Sequence, residues 1–194
     1  MIECSKTGMY YANGQWVADD QNAAAKLAAL GFEAARALET PLAIRVKQAL
    51  DEGWKVLFTR DTHGADYLTS REGRFLPLPH CLKNSEGWHL YGQLAEYECT
   101  PLANVAFLDK PTFGAEGLPA AVRALCGGEP EEIEVCGVVT NICVVSNAIV
   151  LHSAFLNADV SVRADLCAAG DPADHENALH LLKGMGYRIV EGNR

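Results

Sequence analysis

Apolar and polar positions along this chain fall into alternating blocks of two kinds. Residues 55–59, 105–108, 133–139, 160–164 and 187–190 are short apolar runs, the length and composition of buried strands. Residues 15–18 form a weaker strand pattern, short and polar. Between these runs lie stretches with helical spacing, at 41–52, 118–126, 141–156 and 172–185. Thr40 and Pro41 predict the start of the first, and Gly53 its end. Gly127-Gly128 predicts the end of the second, while Asp171 and Gly186 bracket the last. Residues 23–38 are alanine-rich and interrupted by Gly31, whereas residues 60–91 show no period and are rich in Gly, Pro, His and charge. A loop that long in a small domain is usually functional or disordered, and its histidines and aromatics favour function.

Strands that alternate with helices predict a parallel sheet covered by helices on both faces. Sites in such folds gather at the C-terminal ends of the strands. That places Asp19, Asp61, Asp109-Lys110, residues 140–143 and Asp165 where chemistry is expected.

Composition narrows the function. The 194 residues suffice for one domain, 1–194, with a sizeable core. With 49% apolar and 21% charged residues the balance is globular. No apolar run reaches the length of a membrane span, and residues 1–6 lack the apolar stretch of a secretion signal. A net charge of −9 without a basic run argues against nucleic acid as a partner. Seven cysteines with no CxxC pair point to a reducing, cytoplasmic setting rather than a disulfide framework.

Three constellations carry candidate chemistry. Cys143 follows an apolar strand and opens a helix, where unpaired N–H groups and the helix dipole favour a thiolate and could hold an oxyanion. A buried core thiol, like that expected of Cys136, fits the same position. Lys110 and Asp19 stand at strand ends, where they would serve a nucleophile or simply face solvent. Asp61-Thr62-His63, then Glu72, then Pro79-His80, supply two carboxylates and two imidazoles, a donor set suited to zinc, iron or manganese rather than calcium.

These residues resemble the isochorismatase-like cysteine hydrolases, and most closely their nicotinamidase branch. The resemblance spans nearly the whole chain. It rests on residues 59–63 (Thr-Arg-Asp-Thr-His), Glu72-Gly73, residues 78–81 (Leu-Pro-His-Cys), Glu86-Gly87-Trp88, residues 109–114 (Asp-Lys-Pro-Thr-Phe-Gly) and residues 137–144 (Gly-Val-Val-Thr-Asn-Ile-Cys-Val). It implies a three-layer α/β/α, Rossmann-like fold with a six-stranded, mostly parallel sheet. It also implies an Asp19–Lys110–Cys143 triad, since residues 19–22 (Asp-Asp-Gln-Asn) match the family's acidic motif. Metal ligands then fall on Asp61, His63 and His80, with Glu72 in place of a second loop histidine, and zinc leads iron and manganese as the ion. The oxyanion would be held by backbone N–H groups of Val139 and Cys143, with a cis peptide near Val138-Val139. The family's motif usually continues with Asp and Phe where this chain has Ala23 and Ala24, so Trp88 or Phe113 would have to supply the aromatic wall of the substrate pocket. The implied reaction is hydrolysis of a small amide through a thioester, nicotinamide foremost. Another amide or ureido substrate, or a non-catalytic binding protein on the same fold, are the rivals. Self-association into a homo-oligomer is expected.

Overall fold

Chain order alone builds most of the architecture. The computed structural model describes Ile2–Glu3, Tyr10–Ala12, Gln15–Val17 and residues 32–192. In order, the elements are β1 (Ile2–Glu3), β2 (Tyr10–Ala12), β3 (Gln15–Val17), α1 (Phe32–Ala37), α2 (Glu39–Asp51), β4 (Val56–Asp61), α3 (Arg71–Phe75), α4 (Glu96–Cys99) and β5 (Val105–Lys110). They continue with α5 (Leu118–Cys126), β6 (Glu132–Val138), α6 (Val145–Ala154), β7 (Asp159–Ala168), α7 (Pro172–Gly184) and β8 (Arg188–Val190).

The strands are parallel, as the alternation requires. β4 and β5 pair in unbroken register from Val56↔Val105 to Asp61↔Lys110, and β6, β7 and β8 form a second parallel block. Between the blocks lies β1, described at Ile2–Glu3, paired to β4 at Phe58 and to β6 at Cys136, which gives the order β5-β4-β1-β6-β7-β8. The expected continuous sheet is therefore two blocks, of two and three strands, joined through β1. All six positions of β4 are buried, so both faces of that strand are covered.

The first strand is where expectation and structure part. Residues 15–18 were expected in the parallel sheet, but Gln15–Val17 pairs antiparallel with Tyr10–Ala12, outside it. Asn13-Gly14 between them is the strongest short hairpin signal in the chain, and two-residue Asn-Gly loops favour such pairs. Helix α2 also begins earlier than Thr40: Leu38 caps it without a side-chain bond, and Pro41 sits inside its first turn, where its missing N–H has no intrahelical partner to lose. The Thr40 hydroxyl instead accepts a bond from Gln93. Strand β7 runs on to Ala168, so Asp165 lies within it, paired to Arg163, rather than at its end. Where capping chemistry was strong the boundary holds, as at Asp171, whose carboxylate accepts the Ala173 N–H.

The core is one cluster in which Phe58, Val135, Val162, Leu118, Leu151 and Leu182 are fully buried. Among the described residues no helix is long and apolar enough to cross a membrane. Phe58→Ala should lower the unfolding free energy by about 3–5 kcal/mol, while Leu156→Ala, at a site 90% exposed, should change it by less than about 0.5 kcal/mol. Urea unfolding of the two variants checks the contrast, and equal losses would refute this placement of the core.

Candidate active site

Register brings the central groups together. Asp61 ends β4 and Lys110 ends β5, and the two are direct partners across the parallel pair. Side chains at paired positions share a face, so the Lys110 ammonium donates to Asp61 Oδ1. The same Nζ lies 3.2 Å from the Thr112 carbonyl oxygen and 3.6 Å from Cys143 Sγ. Lys110 is only 1% exposed, so the cation is held by these partners rather than by water. Cys143 arrives from β6 through a π-helical turn, Thr140–Val144, that leads into α6. The Val138–Val139 peptide preceding that turn is cis, and the Val139 carbonyl accepts from the Ile142 and Val144 N–H groups inside it.

The long loop supplies the second half. His63 lies two residues beyond the end of β4, and its main chain exchanges bonds with Cys81 and Lys83, which pulls residues 80–83 alongside. The His63 and His80 rings are 4.7 Å apart, edge to face, and Tyr67 packs against both. His80 Nδ1 lies 2.8 Å from the Leu78 carbonyl oxygen, which can only accept, so Nδ1 carries the proton. Nε2 lies 3.9 Å from Asp61 Oδ2. Burial lowers the His63 pKa to about 4, with His80 and Lys110 adding to the shift and Asp61 opposing it, so the ring is neutral near pH 7. Neutral imidazole is the form that ligates metals.

Glu72 comes from α3, whose first turn is capped by the Ser70 hydroxyl accepting the Gly73 N–H. Gly73 is required there, because a Cβ would run into the Tyr67 carbonyl oxygen. Glu72 Oε1 accepts the Phe113 N–H at 2.8 Å, while Oε2 is buried with no hydrogen-bond partner. A buried carboxylate oxygen without a partner is costly unless something positive meets it. Glu72 Oε2 is therefore a candidate donor to a cation, but the structure does not bring Glu72 and His63 into the tight group of ligand atoms around His80. A further member escaped the sequence reading: Asp61, His80 and Cys81 offer ligand atoms that all lie within 4.8 Å of one another. Cys81 directly follows His80, but a single cysteine beside a histidine carries no spacing signal that marks it in advance.

The two aromatics named for a substrate pocket have separate settings. Arg60 stacks on Trp88, its guanidinium carbon 3.6 Å from the ring centre, and the indole N–H donates to the Thr62 hydroxyl. Arg60 in turn pairs with Glu98 and Asp109, so one face of Trp88 is covered and the ring anchors the loop that holds His63 and His80. The main chain of Phe113 stands between Glu72 and α6, and its ring lies 6.1 Å from that of Phe75. Asp19, Ala23 and Ala24 lie outside the described residues.

Comparison with known proteins identifies the family. The family model for the isochorismatase domain matches residues 17–193. The chain belongs to the isochorismatase family. A curated relative from Bacillus subtilis (strain 168), named as the uncharacterised isochorismatase family protein PncA, is 26% identical over 164 residues, covering 82% of this chain and 87% of that protein. A crystal structure of nicotinamidase/pyrazinamidase PncA from Bacillus subtilis superposes with a TM-score of 0.70 at 27% identity, covering 80% of this chain and 85% of the other. A pyrazinamidase of Pyrococcus horikoshii, solved in complex with zinc, shares the fold at TM-score 0.66 and 21% identity, over 81% and 87% of the two chains. Within the isochorismatase family the likeness runs to the nicotinamidase branch.

The cysteines divide by environment. Burial pushes the Cys136 thiol up to about 12 and Cys167 well above the usual range, so both stay protonated at pH 8, whereas Cys99 and Cys126 are exposed. In the native protein at pH 8, iodoacetamide should modify Cys99 and Cys126 and leave Cys136 and Cys167 intact until the protein unfolds. Peptide mass spectrometry reads the outcome, and labelling of Cys136 at the pace of Cys99 would contradict these environments.

Proposed function

We propose that the protein hydrolyses a small amide through a thioester on Cys143, with nicotinamide as substrate and nicotinate and ammonia as products. The observation that carries the reading is the buried Lys110 ammonium, 3.6 Å from Cys143 Sγ. A cation at that distance in a water-poor site favours the thiolate, the nucleophilic form. The family membership and the nicotinamidase name borne by the Bacillus subtilis structure support the substrate class.

In this reading Asp19 accepts the thiol proton and Cys143 Sγ attacks the amide carbonyl carbon. The carbon–oxygen double bond opens to an oxyanion, held by the backbone N–H groups of Val139 and Cys143. The oxyanion collapses, the C–N bond breaks, and Asp19 returns its proton to the leaving nitrogen, which departs as ammonia. A water then adds to the thioester, Asp19 takes its proton, and nicotinate leaves as Cys143 is restored. Lys110 keeps the charge of both Asp19 and the sulfur balanced. Phe113 supplies apolar surface for the ring, and Trp88 acts by fixing the loop beside it.

Asp61, His63, Glu72 and His80 would hold a divalent ion, with zinc the choice best matched to two imidazoles and two carboxylates. Cys81 stands close enough to Asp61 and His80 to complete the set. When bound, the ion would orient the pyridine nitrogen or the hydrolytic water.

The test is ammonia release from nicotinamide by zinc-loaded protein. Cys143→Ala should lower the rate by about 10,000-fold or more, and Lys110→Ala by about 100- to 1000-fold. Glu72→Gln and His80→Ala should each reduce the zinc retained after dialysis, measured by elemental analysis. Wild-type activity in Cys143→Ala would overturn the mechanism. Silence of the wild type on nicotinamide, with activity on another amide or a ureido compound, would overturn the substrate alone.

A further inference from the structure

One fully buried side chain links the two halves of the site and belongs to neither. Asn147 lies on α6, four residues beyond Cys143 and therefore one turn along the same face. Its exposure is 0%, and its amide is spent on main-chain groups of two segments. Oδ1 accepts the Ala115 N–H at 2.8 Å. Nδ2 donates to the Phe113 carbonyl at 3.1 Å and to the Cys143 carbonyl at 2.9 Å. The assignment of oxygen and nitrogen is forced, since an N–H can only donate and the two carbonyls can only accept.

The segment that Asn147 grips is a junction. Phe113 donates its N–H to Glu72 Oε1, so the loop is tied to the candidate metal site. The Thr112 carbonyl receives the Lys110 ammonium, so the loop also anchors the cation beside the thiol. A Cβ on Gly114 would come within 3.3 Å of Ser146 Cβ, which shows how closely the loop rides on α6. The amide of Asn147 is the polar fastening between that loop and the turn carrying the nucleophile.

We propose that Asn147 is a positioning residue that locks the 112–115 loop to the Cys143 turn, keeping the sulfur in register with Lys110 on one side and with Glu72 on the other. The inference rests on Cys143 being the nucleophile. It assigns Asn147 no contact with substrate or ion. Releasing the fastening lets the loop and the turn drift apart. The ammonium then parts from the sulfur, the thiolate loses its partner, and attack slows.

The test compares wild type with Asn147→Leu, which keeps the volume and loses the bonds, and Asn147→Asp, which keeps the acceptor for the Ala115 N–H. Melting curves first fix a temperature at which each variant is folded, and Asn147→Asp is decisive if the leucine variant does not fold. Two readouts follow at that temperature: the rate of Cys143 alkylation by iodoacetamide at pH 7, resolved by peptide mass spectrometry, and the kcat and KM for nicotinamide. The expected result is alkylation slowed about 10-fold or more. With it, kcat should fall about 100-fold, the scale of an ångström-sized misplacement, and KM should change by less than about 3-fold. A fastening that served stability alone would leave alkylation unchanged or speed it by exposing the sulfur, and either result in a folded variant overturns the proposal. If wild type fails to turn over nicotinamide, the substrate reading falls while the alkylation comparison still decides the role of Asn147.

Discussion

The site depends on one buried positive charge. Lys110 is almost wholly out of water, and an ammonium placed there is costly unless oppositely charged and polar groups surround it. Asp61, the Thr112 carbonyl and the Cys143 sulfur do so. Each of these partners brings a different part of the protein. Asp61 brings the end of β4 and the histidine loop, Thr112 brings the loop after β5, and Cys143 brings the turn after β6. Removing either member of a buried pair leaves the other uncompensated, at a cost of about 3–5 kcal/mol, so the charge fixes the positions of its neighbours as firmly as packing does.

The fold delivers that arrangement through register. Parallel strands that end together put their last side chains side by side, and Asp61↔Lys110 is such a pair. The turn that carries Cys143 follows β6, on the other side of β1 from that pair. What crosses from one half to the other above the sheet is polar. Lys110 reaches Cys143, and Asn147 reaches Phe113, whose N–H reaches Glu72. The buried Glu72 Oε2 has no hydrogen-bond partner, and Asp61, His80 and Cys81 gather their ligand atoms within 4.8 Å of one another.

Much of this was legible in the sequence, and the reasons are specific. The strands around Phe58 and Val135 are buried, and buried parallel strands read as plain apolar runs. The cap at Asp171 is a side-chain feature, so it could be read directly. The helix start at Leu38 has no capping side chain, and Thr40-Pro41 drew the boundary two residues late. The antiparallel pairing of residues 15–17 agrees with the Asn13-Gly14 dipeptide before them, a hairpin signal that the strand pattern of residues 15–18 does not itself contain. Residue types at strand ends named Lys110, Asp61 and Cys143, but their mutual distances come from register, which no local pattern states. Trp88 was legible as important and not as an anchor, because its partner Arg60 lies 28 positions away. Asn147 was invisible, since a single asparagine in an apolar helix carries no motif.

The most direct test is the pH profile of Cys143 alkylation in wild type and in Lys110→Met, followed by peptide mass spectrometry. If the buried ammonium holds the thiolate, the wild-type midpoint should fall below the ordinary thiol value of about 8.5, and removing the charge should move it upward by about one unit or more. Coincident midpoints in the two folded proteins would contradict the account, because the cation on which the site is built would then have no hold on the sulfur.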